Sequence, residues 1–227
     1  MDEKKNKVKN IFDSIAGKYD FLNHLLSFGV DHYWRRKALK LSRVSSESIL
    51  LDVACGTGDV AIEAYKQGVK KIVGADFSHN MLKLFKKKSD WIKGNVIQTT
   101  AEQMPFKENV FTNITVAFGV RNFYDIKEGF KSFHRILKAN GKATVIEFQM
   151  PENKFFKYLY KFYFKKILPL IGGIISKNKT AYDYLPESVE EFDEKISLVG
   201  LLEEAGFKSV MKYKLTFGIV QIVIAEK

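Results

Sequence analysis

The stretch LLDVACGTGDVAIEA, residues 50–64, decides the fold of this chain. It contains an apolar run, two glycines (Gly56 and Gly58) and then a stretch with helical spacing, which is typical of the strand–turn–helix of a nucleotide site. A carboxylate stands on each side of the glycines, Asp52 before them and Asp59 after them. A loop that binds phosphates should avoid both charges. We therefore expect a ligand that tolerates carboxylates.

Strands and helices alternate on both sides of this turn. We predict strands at 49–54, 70–76, 95–100, 110–118 and 142–148, and helices at 59–68, at 78–88 with Ser78 as N-cap, at 125–141 ending at Gly141, and near 188–205 ending at Gly206. This order predicts a mostly parallel sheet with right-handed crossovers. The runs at 209–215 and 218–226 are too close together for a parallel crossover, so they should form a terminal hairpin.

Composition sets the class of protein. The 227 residues suit one domain, and 46% hydrophobic residues suffice for a packed core. The net charge is 37 − 26 = +11, which favours anionic partners such as nucleic acid or a membrane surface. The single cysteine, Cys55, excludes an internal disulfide and fits a reducing cytosol. We expect no signal peptide in MDEKKNKVKN and no span in the lipophilic run 167–176, since a span needs about 20 residues. The expectation is a cytoplasmic protein, at most peripheral to a membrane.

The two carboxylates select among nucleotide ligands. Gly56, Gly58 and Ala61 fit the G-x-G-x-x-G/A pattern, and Asp76 ends the next strand 18 residues after Gly58. Many nucleotide folds share this pattern. In a dinucleotide site the pyrophosphate would meet Asp59 at the helix N-terminus. S-adenosylmethionine has no phosphate and carries an ammonium, a sulfonium and a ribose, so the sequence favours this cofactor.

Each residue of the loop then has a predicted role. Asp52 shapes the pocket for the aminoacyl group, and Gly56 and Gly58 let the backbone approach the ligand. Thr57 offers its N–H and hydroxyl to the ligand's carboxylate, and Asp76 accepts both ribose hydroxyls. The alternative is that Asp59 only caps its helix and Asp76 is an ordinary loop carboxylate.

This half of the chain resembles the class I S-adenosylmethionine-dependent methyltransferases. The resemblance implies a Rossmann-like α/β fold whose seven-stranded sheet has a reversed last strand. It places TTAEQMPF (99–106) at the adenine edge, with Thr100 and Ala101 acting mostly through backbone groups. It also implies cofactor contacts for Phe77 and Ala117.

The methyl acceptor is indicated by segments outside the loop. AFGVRN (117–122) lacks the Asn/Asp-Pro-Pro-aromatic segment of amino-methylating enzymes, and the basic charge does not cluster around RNA-reading aromatics, so we expect no nucleic-acid partner. YDFLNHLLSFGVDHYW (19–34), HRILKANGKATVIEF (134–148) and AYDYLPESVEEF (181–192) resemble segments of the menaquinone/ubiquinone C-methyltransferase family. Five positions depart from the pattern of that family: Leu22, Asp31, Ala139, Asn140 and Gln149.

The resemblance implies methylation of a ring carbon of a prenylated quinol. Demethylmenaquinol is the leading substrate and a methoxy-polyprenyl-benzoquinol the second. A ring carbon ortho to a hydroxyl becomes nucleophilic as that hydroxyl loses its proton, so the protein needs to align the reactants, exclude water and assist proton loss. No cysteine adduct is required, so Cys55 should be a packing residue. No His/Cys/carboxylate spacing suggests a metal.

Four residues are the catalytic candidates. Arg121 and Asn122 follow the fourth strand, where open α/β sheets bind ligands, and Arg121 suits stabilisation of a phenolate. Tyr19 and Asp20 lie on an N-terminal segment that we expect to cover the cofactor, although packing and an N-cap are their alternatives. Tyr182 and Tyr184 are further candidates, and the general base is unassigned.

Residues 154–179 are an unusual insertion with seven lysines and no acid. Four lysines repeat at helical spacing (Lys154, Lys157, Lys161 and Lys165), and another surface carries Phe155, Leu159, Phe162 and Ile167. Three interpretations stay open: a packed cap that walls the substrate site, a helix that also docks on anionic lipid, and a homodimer contact.

We expect a single domain in four parts: a helical lid (1–43), a cofactor-binding core (44–150), a lipophilic insertion (151–187), and a terminal helix and hairpin (188–227). Alternatives to quinol methylation are methylation of another lipophilic molecule, a dehydrogenase that uses the Gly56–Ala61 loop, and a non-catalytic protein that binds membrane surfaces.

Overall fold

The computed structural model describes residues 19–176 and 179–227, and the side chains of Tyr19 and of residues 176–183 lie outside this description. The strands of this part of the chain are β1 (Ile49–Val53), β2 (Lys71–Asp76), β3 (Val96–Gln98), β4 (Phe111–Ala117), β5 (Leu137–Phe148), β6 (Ser209–Leu215) and β7 (Val220–Glu226). The helices are α1 (Tyr19–Leu26), α2 (Val30–Leu41), α3 (Asp59–Lys66), α4 (His79–Lys88), α5 (Ile126–Ile136), α6 (Lys154–Phe162), α7 (Leu168–Ser176), α8 (Lys179–Lys195) and α9 (Leu198–Glu204). A π-helical segment, Tyr163–Ile167, joins α6 to α7.

All the strands belong to one sheet, in the order β3-β2-β1-β4-β5-β7-β6. Strands β1 to β5 pair in parallel, and β7 runs antiparallel to both β5 and β6. The strand order reverses between β1 and β4, which are neighbours in the sheet although β2 and β3 separate them in the chain. The predicted seven-stranded sheet with a reversed last strand and a terminal hairpin is confirmed.

Helices cover both faces of the sheet, which explains why its central strands are nearly continuous apolar runs. Consecutive residues of a strand point to opposite faces, so the fully buried Leu50 and Leu51 of β1 enter different cores. Leu51 packs in a core with residues of α5 and α9, and Leu50 packs with residues of α3 and α4. The N-cap predicted for α4 is confirmed, because the Ser78 hydroxyl accepts the Met81 N–H.

The end of α5 differs from the prediction. We expected a helix up to Gly141, but α5 ends at Ile136 and β5 begins at Leu137. Leu137 is fully buried and pairs with Phe111, and the register then shifts before Asn113 pairs with Lys142. Gly141 is required there by crowding, since a Cβ would lie 2.8 Å from the Lys138 carbonyl oxygen. Sheet pairing and burial of Leu137 therefore override the helical pattern.

The helix expected near 188–205 is two helices. Helix α8 starts at Lys179, before the predicted 187/188 division, and α9 begins after Ser197, whose hydroxyl accepts the Gly200 N–H. This N-cap begins a new helix, so the single helix that we expected is divided at Ser197. Gly206 follows α9 with φ +100°, as a glycine after a helix should.

The lid and the insertion pack on each other. Tyr160 of α6, Phe164 of the π segment and Leu168 of α7 form a buried core with Leu22 of α1 and Val189 of α8. Helices α1 and α7 are in direct contact. Gly17, where the sequence predicts a break in the helical pattern of the N-terminal segment, lies outside the described residues. In the described part of the chain, no helix combines the length and the apolar character that crossing a bilayer requires.

Candidate active site

Two cavities meet at the carboxyl ends of β1 and β4. The first is lined by Asp76, Phe77, Thr100 and Ala101, and the second by side chains of the lid and the insertion. Both are lined by Ala54, Gly56, Ala117 and Phe118. This junction lies where the strand order reverses, which is where open α/β sheets bind ligands.

The first cavity has the groups that a ribose and an adenine need. Asp76 is buried, and its two carboxylate oxygens accept the Gly56 and Ser78 N–H groups, each at 2.8 Å. It thereby joins the glycine loop to the end of β2 and faces the cavity. Thr100 and Ala101, which also line this cavity, lead into a turn of 3₁₀ helix after the neighbouring strand β3. The structure brings together Gly56, Asp76, Phe77, Thr100, Ala101 and Ala117, the residues predicted for this half of the cofactor.

The two loop glycines have different tasks. Both have positive φ, +54° at Gly56 and +88° at Gly58. A Cβ on Gly58 would lie 2.1 Å from the ring of the buried Phe85, whereas a Cβ on Gly56 would meet nothing within 4 Å. Gly56 therefore leaves open space beside the cofactor cavity, as a close ligand approach requires. Gly58, predicted for the same role, is needed for packing on Phe85.

This difference predicts that alanine has different main effects at the two glycines, on stability at Gly58 and on ligand binding at Gly56. Gly58→Ala should lower the free energy of unfolding by about 2–4 kcal/mol, because overpacking adds to backbone strain. Gly56→Ala should lower it by about 1 kcal/mol from strain alone, while its methyl group weakens binding of S-adenosylhomocysteine about tenfold or more. Urea unfolding and calorimetry of both variants check this. Equal losses of stability would contradict it.

Asp52 lies beneath the glycine loop and borders the second cavity. It is buried and accepts hydrogen bonds from the Thr115 hydroxyl at 2.8 Å and the Ala61 N–H at 3.2 Å. Burial raises the pKa of Asp52 to about 7, although the Thr115 and Ala61 bonds oppose the shift. Of the nearby charges, Arg35 lowers this pKa and Asp59 raises it. The carboxylate is thus only partly ionised near neutral pH.

We expect the affinity for S-adenosylmethionine to rise with pH through the range around 7. Asp52 gains its negative charge as pH rises through its pKa of about 7, and an anionic Asp52 attracts the ligand's cationic groups. The dissociation constant should fall about threefold to tenfold from pH 6 to pH 8. Calorimetry across this range measures it, with Asp52→Asn as the control that should flatten the profile. A profile that stays unchanged in Asp52→Asn would assign the effect to another group.

Asp59 does not supply the uncompensated charge that the sequence suggested. Its carboxylate pairs with Lys88 Nζ at 2.8 Å and with Arg35 Nη2 at 3.2 Å. Burial by itself would raise the pKa of Asp59, but these two cations bring it below its usual value. Arg35 of α2 and Lys88 of α4 therefore neutralise this carboxylate. Repulsion between Asp59 and a phosphate-bearing ligand is for this reason weaker than the sequence predicted.

Thr57 connects the lid to the glycine loop. Its hydroxyl donates to the Asp20 carboxylate of α1 and accepts from Lys88 Nζ at 3.2 Å. Lys88 also donates to Asp20 at 2.8 Å. The Asp20 carboxylate of the lid is thus bonded to the Thr57 hydroxyl, the group that we predicted to bind the carboxylate of the ligand. Asp20 therefore lies at the site, as expected. Lys88 was missed, because nothing separates it in sequence from Lys86 and Lys87.

The second cavity has a volume of ≈ 320 Å³, which is in the range of small-molecule sites. Its apolar walls come from the lid, the insertion, the end of β5 and the β6–β7 turn: Leu26, Phe28, Val30, Trp34, Phe148, Tyr163, Phe164, Leu168, Leu185 and Ile219. Described residues of the insertion, namely Tyr160, Tyr163, Phe164 and Leu168, therefore form part of the wall of this cavity, as the packed-cap interpretation expects. An apolar ligand of moderate size fits such a site.

Arg121 is one of two arginines that line this cavity, with Arg35. Its guanidinium donates to Glu147 at 2.6 Å and to the Phe118 carbonyl at 2.7 Å, and the fully buried Glu147 carboxylate balances its charge. Burial raises the pKa of Glu147, and the Arg121 guanidinium opposes this shift. Glu147 was not predicted as a site residue, although its position at the carboxyl end of β5 was a signal for it.

Asn122 stands between the two cavities. It lines the first cavity, and its side-chain oxygen accepts the hydroxyl of Tyr184, which lines the second. The structure therefore brings Arg121, Asn122 and Tyr184 together as predicted. Tyr19 begins α1, but its side chain and that of Tyr182 lie outside the described residues.

Two further predictions concern metals and Cys55. Within the described residues, the ligand atoms of His24, Asp31 and His32 lie within 4.8 Å of one another, a grouping that sequence spacing did not indicate. Asp31 already accepts from Ser27 at 2.7 Å and pairs with Arg35, so ion pairing accounts for this buried acid. Cys55 is buried in the α3–α4 core, and burial raises the pKa of its thiol, as expected for a packing residue.

Comparison with known proteins gives a match along the whole chain. The model described as "ubiE/COQ5 methyltransferase family" matches residues 1–227. The "Ubiquinone/menaquinone biosynthesis C-methyltransferase UbiE" of Geotalea uraniireducens is 45% identical, over 100% of this chain and 99% of its own. The "Demethylmenaquinone methyltransferase" of Chlorobaculum tepidum is 43% identical (98% and 93%), and that of Thermus thermophilus 39% identical (96% and 100%).

Solved structures support the fold. A SAM-dependent methyltransferase from Aquifex aeolicus aligns with a TM-score of 0.60 at 18% identity, over 85% of this chain and 88% of its own. The [4+2]-cyclase SpnF aligns with a TM-score of 0.69 at 14% identity, over 97% and 95%. The fold is that of the class I methyltransferases, and the cyclase shows that this fold alone does not fix the reaction.

Proposed function

Since the chain belongs to the ubiE/COQ5 methyltransferase family, we propose that it transfers a methyl group from S-adenosylmethionine to a ring carbon of a prenylated quinol. Demethylmenaquinol is the first substrate to test and a methoxy-polyprenyl-benzoquinol the second. One observation supports this above all: a cavity with groups for ribose and adenine meets a larger apolar cavity at Ala54, Gly56, Ala117 and Phe118. A methyl group crossing this junction would pass from cofactor to acceptor.

Bound S-adenosylmethionine supplies an electrophilic methyl group. The acceptor ring needs two things from the protein, which are exclusion of water and stabilisation of negative charge as its hydroxyl loses a proton. The apolar walls of the second cavity provide the first. Arg121, fixed by Glu147 and by the Phe118 carbonyl, provides a cation that cannot be deprotonated. Asn122 lies beside it, oriented by Tyr184.

Binding and product analysis test this function. Calorimetry with S-adenosylhomocysteine and with NADH should show binding of the first only, and the reverse result would favour a dehydrogenase. Incubation with labelled S-adenosylmethionine and each candidate quinol should give a labelled ring-methylated product, identified by mass. A protein that binds S-adenosylhomocysteine and methylates neither quinol would leave another lipophilic molecule as acceptor.

We also propose that the mouth of the second cavity docks on an anionic membrane. Exposed apolar side chains follow one another along α6 and α7: Phe155, Tyr158, Leu159, Phe162, Leu170 and Ile174. Others lie near the cavity. Phe28, which lines it, is 80% exposed and lies 6.1 Å from the Tyr163 ring. Phe217 is 70% exposed and stacks on Phe156 at 4.4 Å.

The backbone at the two phenylalanines supports a role for their exposure. Phe28 and Phe217 are non-glycine residues with positive φ, +52° and +56°. Such conformations cost on the order of 1 kcal/mol each and are retained where they serve a purpose. Here each one presents a phenylalanine beside the acceptor cavity. A lipid-tailed substrate could enter the cavity from a bilayer at this point.

The charges fit an anionic surface, with one correction to the predicted lysine stripe. Lys161 and Lys165 pair with Glu190 of α8 at 2.8 and 2.5 Å, so they help to pack the insertion. Lys154, Lys157 and Lys166 are exposed beside the apolar side chains. A basic helix with exposed aromatics is the usual composition of a helix that lies in a membrane interface.

Vesicle sedimentation tests the docking surface. The wild type should sediment with phosphatidylcholine vesicles that contain phosphatidylglycerol, and about tenfold less when Phe28, Phe155 and Phe217 are changed to Ser. Lys154→Glu, Lys157→Glu and Lys166→Glu should weaken binding to these anionic vesicles, and should not change binding to vesicles of phosphatidylcholine alone. The matched controls are Tyr33→Ser with Met211→Ser, and charge reversal at Lys40, Lys71 and Lys83.

Two outcomes would contradict membrane docking. One is a wild type that does not sediment with the anionic vesicles. The insertion would then act only as a packed cap over the second cavity. Alternatively, ultracentrifugation could show a dimer that the phenylalanine changes dissociate, which assigns this surface to a second copy of the chain.

A further inference from the structure

The hydroxyl of Tyr160 is a buried polar group that makes no hydrogen bond with any described residue. Tyr160 lies on α6, is 6% exposed and contributes to the wall of the second cavity. Its ring stacks on Phe164 at 4.6 Å, and Phe164 in turn packs on Phe148. The ring is therefore held in place by its neighbours. Buried polar groups are nearly always hydrogen-bonded, so this hydroxyl requires an explanation.

A second buried donor without a partner among the described residues belongs to the same cavity. It is Nε of Arg121, whose Nη1 donates to both Glu147 and the Phe118 carbonyl. The Arg121 and Glu147 charges both act on the titration of Tyr160. Burial raises the pKa of Tyr160 well above its usual range, so its hydroxyl remains protonated and able to donate. Two buried donors without a partner among the described residues thus belong to residues in the wall of one cavity, where a ligand with acceptor oxygens would satisfy both.

We infer that Tyr160 donates a hydrogen bond to a ring oxygen of the acceptor in the second cavity, beside Arg121. This inference rests on the proposed function and deepens it, because it names the residue that recognises the quinol oxygen. A prenyl tail has no group for these donors, so they would orient the ring end of the substrate. A hydrogen bond to an oxygen that gains negative charge strengthens as the reaction proceeds. Tyr160 would thus contribute to the rate of methyl transfer as well as to binding.

Other tyrosines of the region differ from Tyr160 in a way that gives controls. The Tyr163 hydroxyl donates to the Leu26 carbonyl at 2.6 Å, and the Tyr184 hydroxyl donates to Asn122 at 3.0 Å. Loss of a satisfied hydroxyl lowers stability, whereas loss of an unsatisfied one is neutral or stabilising. The change in stability on Tyr→Phe substitution therefore distinguishes a hydroxyl that bonds only to substrate from one that has a partner within the protein.

The experiment compares Tyr160→Phe with Tyr163→Phe and Tyr33→Phe. With a quinol that the wild type methylates, kcat/KM of Tyr160→Phe should fall about 10- to 100-fold, mostly in kcat. Its affinity for S-adenosylhomocysteine should stay the same, and its melting temperature should be equal to or above that of the wild type. Tyr163→Phe should melt at a lower temperature, and Tyr33→Phe, on the exposed side of α2, should keep the wild-type rate.

Two results would overturn the inference. One is a Tyr160→Phe variant with wild-type kcat and KM on that quinol. The other is a melting temperature that falls as in Tyr163→Phe, which would mean that the hydroxyl already has a structural partner, such as a buried water. If the wild type itself methylates no quinol, the proposed function fails instead, and the two failures are separate.

Discussion

A Glu147→Gln variant is expected to lose about 3–5 kcal/mol of its free energy of unfolding, together with at least about 99% of its methyl-transfer rate. Glu147 is fully buried and pairs with the Arg121 guanidinium, whose side chain is 6% exposed. Without the carboxylate charge, a buried cation stays uncompensated. Arg121 then keeps only its bond to the Phe118 carbonyl and is less firmly oriented in the acceptor cavity, so the loss of rate follows from the same cause.

Urea unfolding followed by circular dichroism measures the loss of stability. The double variant Arg121→Met, Glu147→Gln should recover much of it, because the uncompensated cation is gone, but it should remain inactive. Glu204→Gln is the matched control. It breaks the exposed Lys127–Glu204 pair, whose atoms are 2.7 Å apart, and should leave the unfolding midpoint close to that of the wild type, because exposed ion pairs contribute little. An unfolding midpoint of Glu147→Gln equal to that of Glu204→Gln would contradict the argument.

Asp76→Ala is expected to weaken binding of S-adenosylhomocysteine at least about 100-fold. Hydrogen bonds from ribose hydroxyls to a carboxylate contribute about 1.5–3 kcal/mol each, and each 1.4 kcal/mol is a factor of ten. The same carboxylate accepts the Gly56 and Ser78 N–H groups, so its loss also loosens the glycine loop. Both effects weaken binding.

Calorimetry on three variants checks this. Asp76→Asn keeps one acceptor oxygen and should give an intermediate dissociation constant. Asp90→Ala, at a side chain that is 87% exposed, should bind as the wild type does. If Asp76→Ala is folded and its dissociation constant is unchanged, the ribose does not bind at the end of β2, and the assignment of the first cavity is wrong.

The resemblance of the N-terminal segment to a family signature raised a question about Asp31, which replaces a histidine. The structure gives Asp31 a local role. It is buried between Ser27, His24 and Arg35, and Arg35 also reaches Asp59 at the start of α3. These ion pairs connect the lid to the helix that follows the glycine loop, in addition to the hydrogen bond between Asp20 and Thr57. The replacement is thus part of how the lid is anchored.

The sequence by itself determined the order of strands and helices, the glycine loop, and the strand ends that carry Asp76 and Arg121. These features are local, because strand and helix periodicities and turn residues act over a few positions. The prediction failed where tertiary contacts overrode local preference, as at the end of α5, where Leu137 pairs in the sheet, and at Ser197, where a cap divides one expected helix into two.

Only the tertiary structure decided which charges and polar groups the site has available. Lys88 neutralises Asp59 from 29 positions away, and Glu147 fixes Arg121 from 26 positions away. Tyr160 is distinguished from the other aromatic residues of its segment by a buried hydroxyl that has no partner among the described residues. The physical reason is that electrostatic pairing and burial depend on distances in space, which follow from the packing of the lid and the insertion on the sheet.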